Sequence, residues 1–330
     1  MQVAIDILEN EIIEQFPGVL DILLRDQTTK KNIFWATDNY EQLGESYSFN
    51  AQILPELITG ENGNVIMPRV YKDKILQKSR AKEMAEVFTP SWVCNVQNNL
   101  VDDAWFGREG AFNKQILMKN WETNKEKVSF PEGKTWLDYI LNTCLEMTCG
   151  EAPYLVSRYD TTTGEFIPIE NRIGLLDRKL RVVNENIDNP ERWLNAARIA
   201  YENTYGFEWQ GDSLLLAREA MLITFIENYT FKFGNEPSLE SIQQIAHIIS
   251  WNLWQMDGLK GVIPNSCVDV IEESSNLFDS VKKITKCKGC KTKNFFSHNG
   301  MYCNLMHWKG QDAETGKFGV ITRFVDLLNN

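Results

Sequence analysis

The order of apolar and polar residues along the chain predicts helices that alternate with short strands. Apolar residues recur every three or four positions over residues 5–16, 92–100 and 214–229, which is the period of a helix with one buried face. Short apolar runs at residues 144–149 and 204–209 predict strands. Because each of these two runs leads towards a helical pattern, we predict an α/β fold in which a sheet carries helices on its faces.

The same pattern divides the chain into three parts. Residues 1–84 form an N-terminal extension with a strand-like stretch at 32–35, followed by a polar connector. This connector ends in a basic run: Lys72, Lys74, Lys78, Arg80 and Lys82. Residues 85–261 hold the α/β pattern. Residues 262–330 comprise a linker over 262–281, a small module rich in cysteine and lysine, and a terminal strand or helix.

Composition narrows the class of protein. With 330 residues, 43% of them hydrophobic and 24% charged, the chain is typical of a globular protein with a sizeable core. It contains no apolar run near the roughly 20 residues of a membrane span and no signal-peptide pattern at its start. Seven cysteines, four of them isolated in the sequence, favour a reducing cytoplasm over a disulfide framework. A net charge of −11 argues against nucleic-acid binding over the whole surface, so any DNA contact should come from local basic patches or a partner.

Phe88, Thr89 and Pro90 form the first of three segments that point to a cofactor site. They stand directly before the predicted helix that starts at Ser91. Thr is a common helix cap and Pro commonly opens a first turn, so the pair also has a purely structural explanation. The segment indicates a cofactor site only in combination with the other two segments.

The second and third segments are predicted strands that end in polar groups. Residues 145–153 place Glu146 in a strand and Cys149 and Gly150 at its end, where a glycine lets the backbone approach a ligand closely. Glu208 ends the strand at 204–209, where a nucleotide site uses an acid to bind ribose hydroxyls. Taken alone, Gly150 is also consistent with a simple turn, and Glu208 with an exposed end of an ordinary β–α unit.

Together the three segments resemble the adenine-N6 DNA methyltransferases of restriction–modification systems, and most closely restriction endonuclease subunit M. That family has an F-x-T-P segment, a strand ending near Gly and a Y-G-x-E strand before an L-A-R helix, in this order; the likeness covers roughly residues 30–330. It implies a Rossmann-like sheet that binds S-adenosylmethionine, and double-stranded DNA as a partner. The cofactor-binding residues it implies are Phe88, Thr89, Pro90, Glu146, Cys149, Gly150 and Glu208.

The spacing departs from a compact fold of this kind. Gly150 and Glu208 are 58 residues apart, against about 20 in a dinucleotide fold. Residues 154–203 must then be an insertion. Asp177 is an alternative ribose-binding acid, although its surroundings resemble a helix face more than a strand end.

The chain lacks the family's catalytic tetrapeptide, N-P-P-Y/F or D-P-P-Y/F. In that family the target base is flipped out of the duplex, and this segment steers its amine towards the cofactor. None of the ten prolines here is followed by another proline, and the nearest segments, at Asn189-Pro190 and Pro264-Asn265, lack the aromatic residue as well. We therefore predict no catalytic residue in this chain. Either a partner chain supplies the tetrapeptide, or the protein is a relic with a regulatory or scaffolding role.

A C-x-x-C pair in the C-terminal module predicts a structural zinc site. Two residues, the second of them a glycine, separate Cys287 from Cys290, and twelve residues separate Cys290 from Cys303. His307 is the preferred fourth ligand and His298 the alternative. A redox C-x-x-C or unligated thiols would give the same spacing. The third histidine, His247, lies in an apolar helical pattern and is predicted to pack in the core.

Basic residues around these cysteines offer a second function. Six lysines lie between Lys282 and Lys293 in an otherwise acidic protein, with Phe295, Phe296 and Tyr302 close by. They could hold DNA phosphates while the aromatic rings stack on a base or a partner. Alternatively, the lysines form a solvated face and the rings a small core. The rival to a cofactor-binding role is therefore a non-catalytic DNA- or protein-binding subunit that works through its zinc module.

Overall fold

A computed structural model describes residues 9–72, 89–117, 119–276, 279–311 and 316–328. Within it, only the backbone is described for 270–276 and 279–283. The described part is mixed α/β and contains a parallel sheet of three short strands. The prediction of α/β structure is confirmed at this level.

The parallel sheet consists of β3 (Cys144–Met147), β4 (Thr204–Glu208) and β5 (Leu253–Gln255), with β4 in the middle. Leu145 lies opposite Tyr205, and Phe207 opposite Trp254. Since all three strands run the same way, their carboxyl ends meet at one edge of the sheet, where open α/β sheets bind ligands. The two strands predicted at 144–149 and 204–209 are thus neighbours. Among the described residues up to 285, two antiparallel pairs lie outside this sheet: β1 (Asn113–Ile116) with β2 (Asn120–Thr123), and β6 (Val270–Asn276) with β7 (Asp279–Thr285).

Helices connect and cover the strands. Their bounds are α1 Glu9–Gln15, α2 Val19–Leu24, α3 Pro55–Ile58, α4 Ser91–Phe106, α5 Trp136–Ile140, α6 Leu175–Asn186, α7 Pro190–Glu202, α8 Gly211–Phe233 and α9 Leu239–Asn252. The helices predicted at 92–100 and 214–229 lie within α4 and α8. The segment predicted as an insertion, 154–203, carries α6 and α7 across from β3 to β4. Such a crossover is what parallel neighbours require.

The N-terminal extension packs against the sheet. Ile12, Leu23 and Trp35 are fully buried in the main core. Residues 32–35, predicted as a strand, form isolated bridges instead, such as Phe34 with Gln52. Gln255 of β5 accepts a hydrogen bond from the Phe34 amide at 3.1 Å and donates one to the Phe34 carbonyl at 2.8 Å. These two side-chain bonds link the N-terminal extension to the edge strand β5.

The C-terminal part packs on the other side of the sheet and consists of α10 (Lys288–Thr292), β8 (Asn304–Gln311), β9 (Phe318–Arg323) and α11 (Phe324–Leu327). Phe207 and Trp254 of the sheet share a second core with Met256, Cys303 and Leu305. The segment predicted as a linker, 262–281, contains β6 and part of β7. The predicted terminal element is both a strand and a helix. Among the described residues, no helix is long and apolar enough to cross a membrane.

Candidate functional site

A cavity of about 1000 Å³ opens at the carboxyl ends of β3 and β4. It is bounded by β3 and the loop after it, by the start of α8, and by one face of α4. Its lining residues include Thr89, Gln97, Asn98, Val101, Leu145, Glu146, Thr148, Cys149, Gly150, Tyr154, Glu208, Trp209 and Gln210. Five of the seven predicted cofactor residues therefore line one space.

The loop after β3 has an unusual backbone. Thr148, Gly150 and Ala152 all have positive φ, at 51°, 54° and 59°. Left-handed backbone is costly for residues with a Cβ, and such strain is concentrated at functional sites. A Cβ added to Gly150 would meet no atom within 4 Å, so the backbone there faces open space. A ligand in the cavity can approach the loop closely at this glycine.

Glu208 holds that loop to the end of β4. Its Oε2 accepts a hydrogen bond from the Gly150 amide at 2.8 Å, and its Oε1 accepts bonds from the amides of Trp209 at 2.9 Å and Gln210 at 3.2 Å. Burial raises the pKa of the Glu208 carboxyl, and these amide bonds offset only part of that rise. The carboxyl group is therefore fixed in position at the cavity wall.

Glu146 is less well satisfied. Its Oε1 accepts one long bond from the Tyr154 amide at 3.4 Å, while its buried Oε2 has no hydrogen-bond partner among the described residues. Burial raises the pKa of this carboxyl well above its usual range, and the charge of Glu208 raises it further. Two buried carboxyl groups thus share one cavity. A ligand with positive charge and hydrogen-bond donors would relieve both.

The Thr89 segment borders the same cavity at the start of α4. Pro90 is the residue before the helix, but the Thr89 side chain makes no cap; the carboxylate of Asp160 accepts a bond from the Ser91 amide at 2.7 Å instead. The Thr89 carbonyl accepts a bond from the Thr161 hydroxyl at 3.2 Å. Thr89 lines the cavity, whereas Phe88 falls outside the described residues.

Cys149 and Asp177 have structural surroundings. Cys149 is buried in the main core, and a Cβ added to Gly206 would lie 3.4 Å from its sulfur. Asp177 is buried in the first turn of α6, where its Oδ2 accepts bonds from the Ser157 amide and hydroxyl at 2.8 and 2.9 Å. Asp177 does not line the cavity, so Glu208 is the better placed of the two acids.

Sequence reasoning missed the contribution of α4. Gln97 and Asn98 line the cavity, and the buried Asn98 amide donates to the carbonyls of Tyr154 at 2.9 Å and Ile173 at 3.0 Å. The signal in the sequence was the helical spacing of the polar residues Asn95, Asn98 and Asp102. All three are buried in the structure. Buried polar residues three or four positions apart mark a helix face that packs against backbone or a site.

A second group of side chains, Cys267, Cys287, Cys290 and His298, could hold a metal ion. Their ligand atoms all lie within 4.8 Å of one another. Three thiols and an imidazole fit structural zinc. The structure brings together Cys287 and Cys290 as predicted, and it places His298, the alternative to His307, beside them.

The other two predicted ligands lie elsewhere. Cys303 is fully buried in the second core and its thiol donates to the Gln255 carbonyl at 3.3 Å. His307 is exposed on β8, opposite Val320 of β9. The structure therefore replaces Cys303 and His307 in the predicted set with Cys267 and His298. Cys267, which stands alone in the sequence, reaches the group because β6 and β7 reverse the chain between it and Cys287.

The predicted basic surfaces differ in their outcome. Lys286, Lys288, Lys291 and Lys293 are exposed, and Phe296 beside them is half exposed. Tyr302 is instead part of the module, because its hydroxyl donates to the Phe295 carbonyl at 2.9 Å. Lys72 of the connector is buried and pairs with Asp212 at 3.5 Å, which removes it as a phosphate contact. The rest of that basic run lies outside the described residues.

His247 behaves as an ordinary member of its helix. It lies in α9 with its side chain exposed, so the prediction that it packs in the core is wrong. It is not part of the cysteine–histidine group. No family model, no curated protein and no solved structure matches this chain.

Proposed function

We propose that this chain is the S-adenosylmethionine-binding part of a DNA adenine-N6 methyltransferase and works with a partner chain. The observation that carries the proposal is the cavity at the carboxyl ends of two adjacent parallel strands, with Glu146 and Glu208 buried in its wall. On this proposal the sheet is the core of a Rossmann-like methyltransferase fold. The likeness of the three sequence segments to that family supplies the cofactor's identity.

The residues present fit this cofactor. S-adenosylmethionine carries a sulfonium and an ammonium group, and the unpartnered Oε2 of Glu146 is a buried acceptor suited to the ammonium. Each oxygen of Glu208 already accepts backbone amides, but a carboxylate oxygen has a second lone pair for a ribose hydroxyl. Gly150 leaves its backbone open to the ligand. When bound, the cofactor supplies an activated methyl group.

Transfer of that group to adenine requires parts that this chain does not carry. The target base must leave the duplex, and its amine needs acceptors and an aromatic surface to hold it. No Pro-Pro pair occurs in these 330 residues, so on this proposal an N-P-P-Y/F segment acts from outside them. The partners proposed are double-stranded DNA and a chain with that segment.

A non-catalytic binding role is the second candidate. The exposed lysines at 286, 288, 291 and 293, beside the half-exposed Phe296, form a local basic surface on an acidic protein. Such a surface is suited to nucleic-acid phosphates. In that case the sheet is a scaffold and its cavity has no cofactor.

Calorimetric titration with S-adenosylmethionine separates the two candidates. We expect the wild-type chain and the exposed control Glu170→Gln to bind, and Glu146→Gln to bind at least ten-fold more weakly. Methylation of DNA should appear only when the candidate partner chain is added. No binding by the wild-type chain, with or without the partner, would refute the cofactor-binding role and favour the second candidate.

A further inference from the structure

The ligand atoms around His298 have the separations of a tetrahedral metal site. The His298 Nδ1 lies 3.5 Å from the Cys267 sulfur, 3.8 Å from that of Cys287 and 3.6 Å from that of Cys290. With Zn–S near 2.3 Å and Zn–N near 2.0–2.1 Å, a tetrahedral zinc holds sulfur and nitrogen ligands about 3.5 Å apart. We propose that Cys267, Cys287, Cys290 and His298, through its Nδ1, form a closed zinc site that fastens the base of the β6–β7 hairpin. This proposal does not rest on the proposed function.

Two glycines make the close approach of these ligands possible. A Cβ on Gly289 would lie 2.6 Å from Nδ1 and Cγ of His298, and one on Gly300 would lie 3.0 Å from the sulfur of Cys267. The separation at Gly289 is shorter than real Cβ atoms show, and the one at Gly300 is tighter than most real Cβ contacts. The backbone is therefore shaped to bring His298 onto the C-x-x-C turn and residue 300 onto Cys267.

Surrounding hydrogen bonds hold the ligands in place. The Asn299 amide donates to the Cys287 sulfur at 3.2 Å, a contact that favours the thiolate over the thiol. The Asn299 side chain accepts from the Val268 amide at 3.2 Å and donates to the Val268 carbonyl at 2.7 Å, which anchors the loop that carries Cys267. The His298 amide donates to the Tyr302 hydroxyl at 2.9 Å. Metal ligands are commonly oriented by such bonds.

The ligand set selects the ion and its role. Thiolates and imidazole suit zinc and exclude magnesium and calcium, which require oxygen ligands. Four protein ligands fill a tetrahedral site and leave no open position for a substrate. The site is therefore structural.

The positions of the ligands in the chain indicate what the ion does in the fold. Cys267 precedes β6 and Cys287 follows β7, so a metal bound to both joins the two ends of the hairpin. An isolated two-stranded hairpin is only marginally stable in water. His298 and the bridge between Val262 and Tyr302 then connect this base to the rest of the module. On this proposal the zinc holds the two ends of the β6–β7 hairpin together.

Metal content of single variants tests the ligand set. We expect the wild-type chain to contain one zinc ion per molecule by elemental analysis, and Cys267→Ser and His298→Asn to lose it. The matched controls Cys303→Ser and His307→Asn should keep it, since both residues lie outside the group. Loss of zinc in the two controls and its retention in the first pair would overturn the proposal in favour of the spacing-based set.

Cobalt substitution of the wild-type chain tests the site without any variant. Cobalt(II) in a tetrahedral thiolate site gives strong visible and near-ultraviolet bands, and we expect these bands, with their displacement by added zinc. Octahedral cobalt absorption, or a stable Cys287–Cys290 disulfide in the protein as isolated, would refute the site.

Limited proteolysis tests whether the zinc fastens the hairpin. Removal of the zinc with a chelator should increase cleavage within residues 268–286 at least ten-fold. Unchanged cleavage of metal-free protein would refute that role.

Discussion

The carboxylate of Glu208 accepts a hydrogen bond from the backbone amide of Gly150 at 2.8 Å, across a sequence separation of 58 residues. This contact joins the carboxyl ends of β3 and β4 at the wall of the cavity. It explains why a long crossover between the two strands does not separate the acid from the glycine turn. The register of parallel strands, and not the distance in sequence, sets their position.

Replacement of Glu208 should therefore affect both the fold and the site. In Glu208→Ala the half-buried amides of Gly150 and Trp209 and the buried amide of Gln210 lose their acceptor, and we expect the free energy of unfolding to fall by about 2–4 kcal/mol. Urea unfolding at neutral pH measures this loss. The control Glu170→Ala, at an exposed position, should change stability by less than about 0.5 kcal/mol. Equal stability of the two variants would show that the Glu208 bonds are not formed in solution.

Replacement of Glu146 should instead stabilise the fold at high pH. Because burial raises the pKa of this carboxyl in the folded chain, its contribution to stability is present below its ordinary pKa and is lost as pH rises through the raised value. Glu146→Gln removes the free-energy cost of ionising this buried carboxyl in the folded chain. That cost is about 1.4 kcal/mol for every tenfold change in the acid dissociation constant. We expect the variant to be more stable than wild type at pH 8 and the difference to shrink towards pH 5. Thermal unfolding across this pH range measures it; a variant less stable than wild type at pH 8 would contradict the surroundings described for Glu146.

Gly150 and Gly133 make a matched pair that separates backbone strain from ligand access. Both have positive φ, at 54° and 77°, and at neither would an added Cβ meet an atom within 4 Å. Replacement by alanine should cost about 1–2 kcal/mol of stability at each. Only Gly150 lines the cavity, so only Gly150→Ala should weaken S-adenosylmethionine binding, which calorimetry measures. Equal affinity in the two variants would mean that the ligand does not approach this loop.

The sequence predicted the two strands whose ends border the cavity, and it predicted the metal group only in part. Glu146, Gly150 and Glu208 follow two strands that local pattern alone identifies, and parallel pairing brings such ends together. Cys267 could not be found in this way, because its place depends on how β6 and β7 reverse the chain. Spacing favoured Cys303 and His307, but Cys303 is held in an apolar core and His307 lies on an exposed strand. Nearness in sequence is a poor guide to ligands where a hairpin lies between them.

Arg218 has a structural role, because its side chain donates hydrogen bonds to backbone carbonyls at helix ends. It belongs to the L-A-R segment of α8, yet its buried guanidinium donates to the Leu253 carbonyl through Nε at 3.0 Å and Nη2 at 2.6 Å. Nη1 donates to the carbonyls of Leu23 and, at 3.1 Å, Arg25. These carbonyls end α2 and α9, where a positive charge is favourable. Burial lowers the pKa of Arg218 to about 10, so it remains charged at neutral pH.

A lysine at position 218 should not replace this guanidinium. Its ammonium is a point charge that cannot reach the ends of both helices, so carbonyls on one side lose their donor. We expect Arg218→Lys to lower the free energy of unfolding by about 2–4 kcal/mol. The control Arg198→Lys, half exposed and 3.8 Å from Glu202, should change it by less than about 0.5 kcal/mol. Chemical denaturation of both variants decides the point: if Arg218→Lys is as stable as its control, the N-terminal extension is not fastened to the sheet through this side chain.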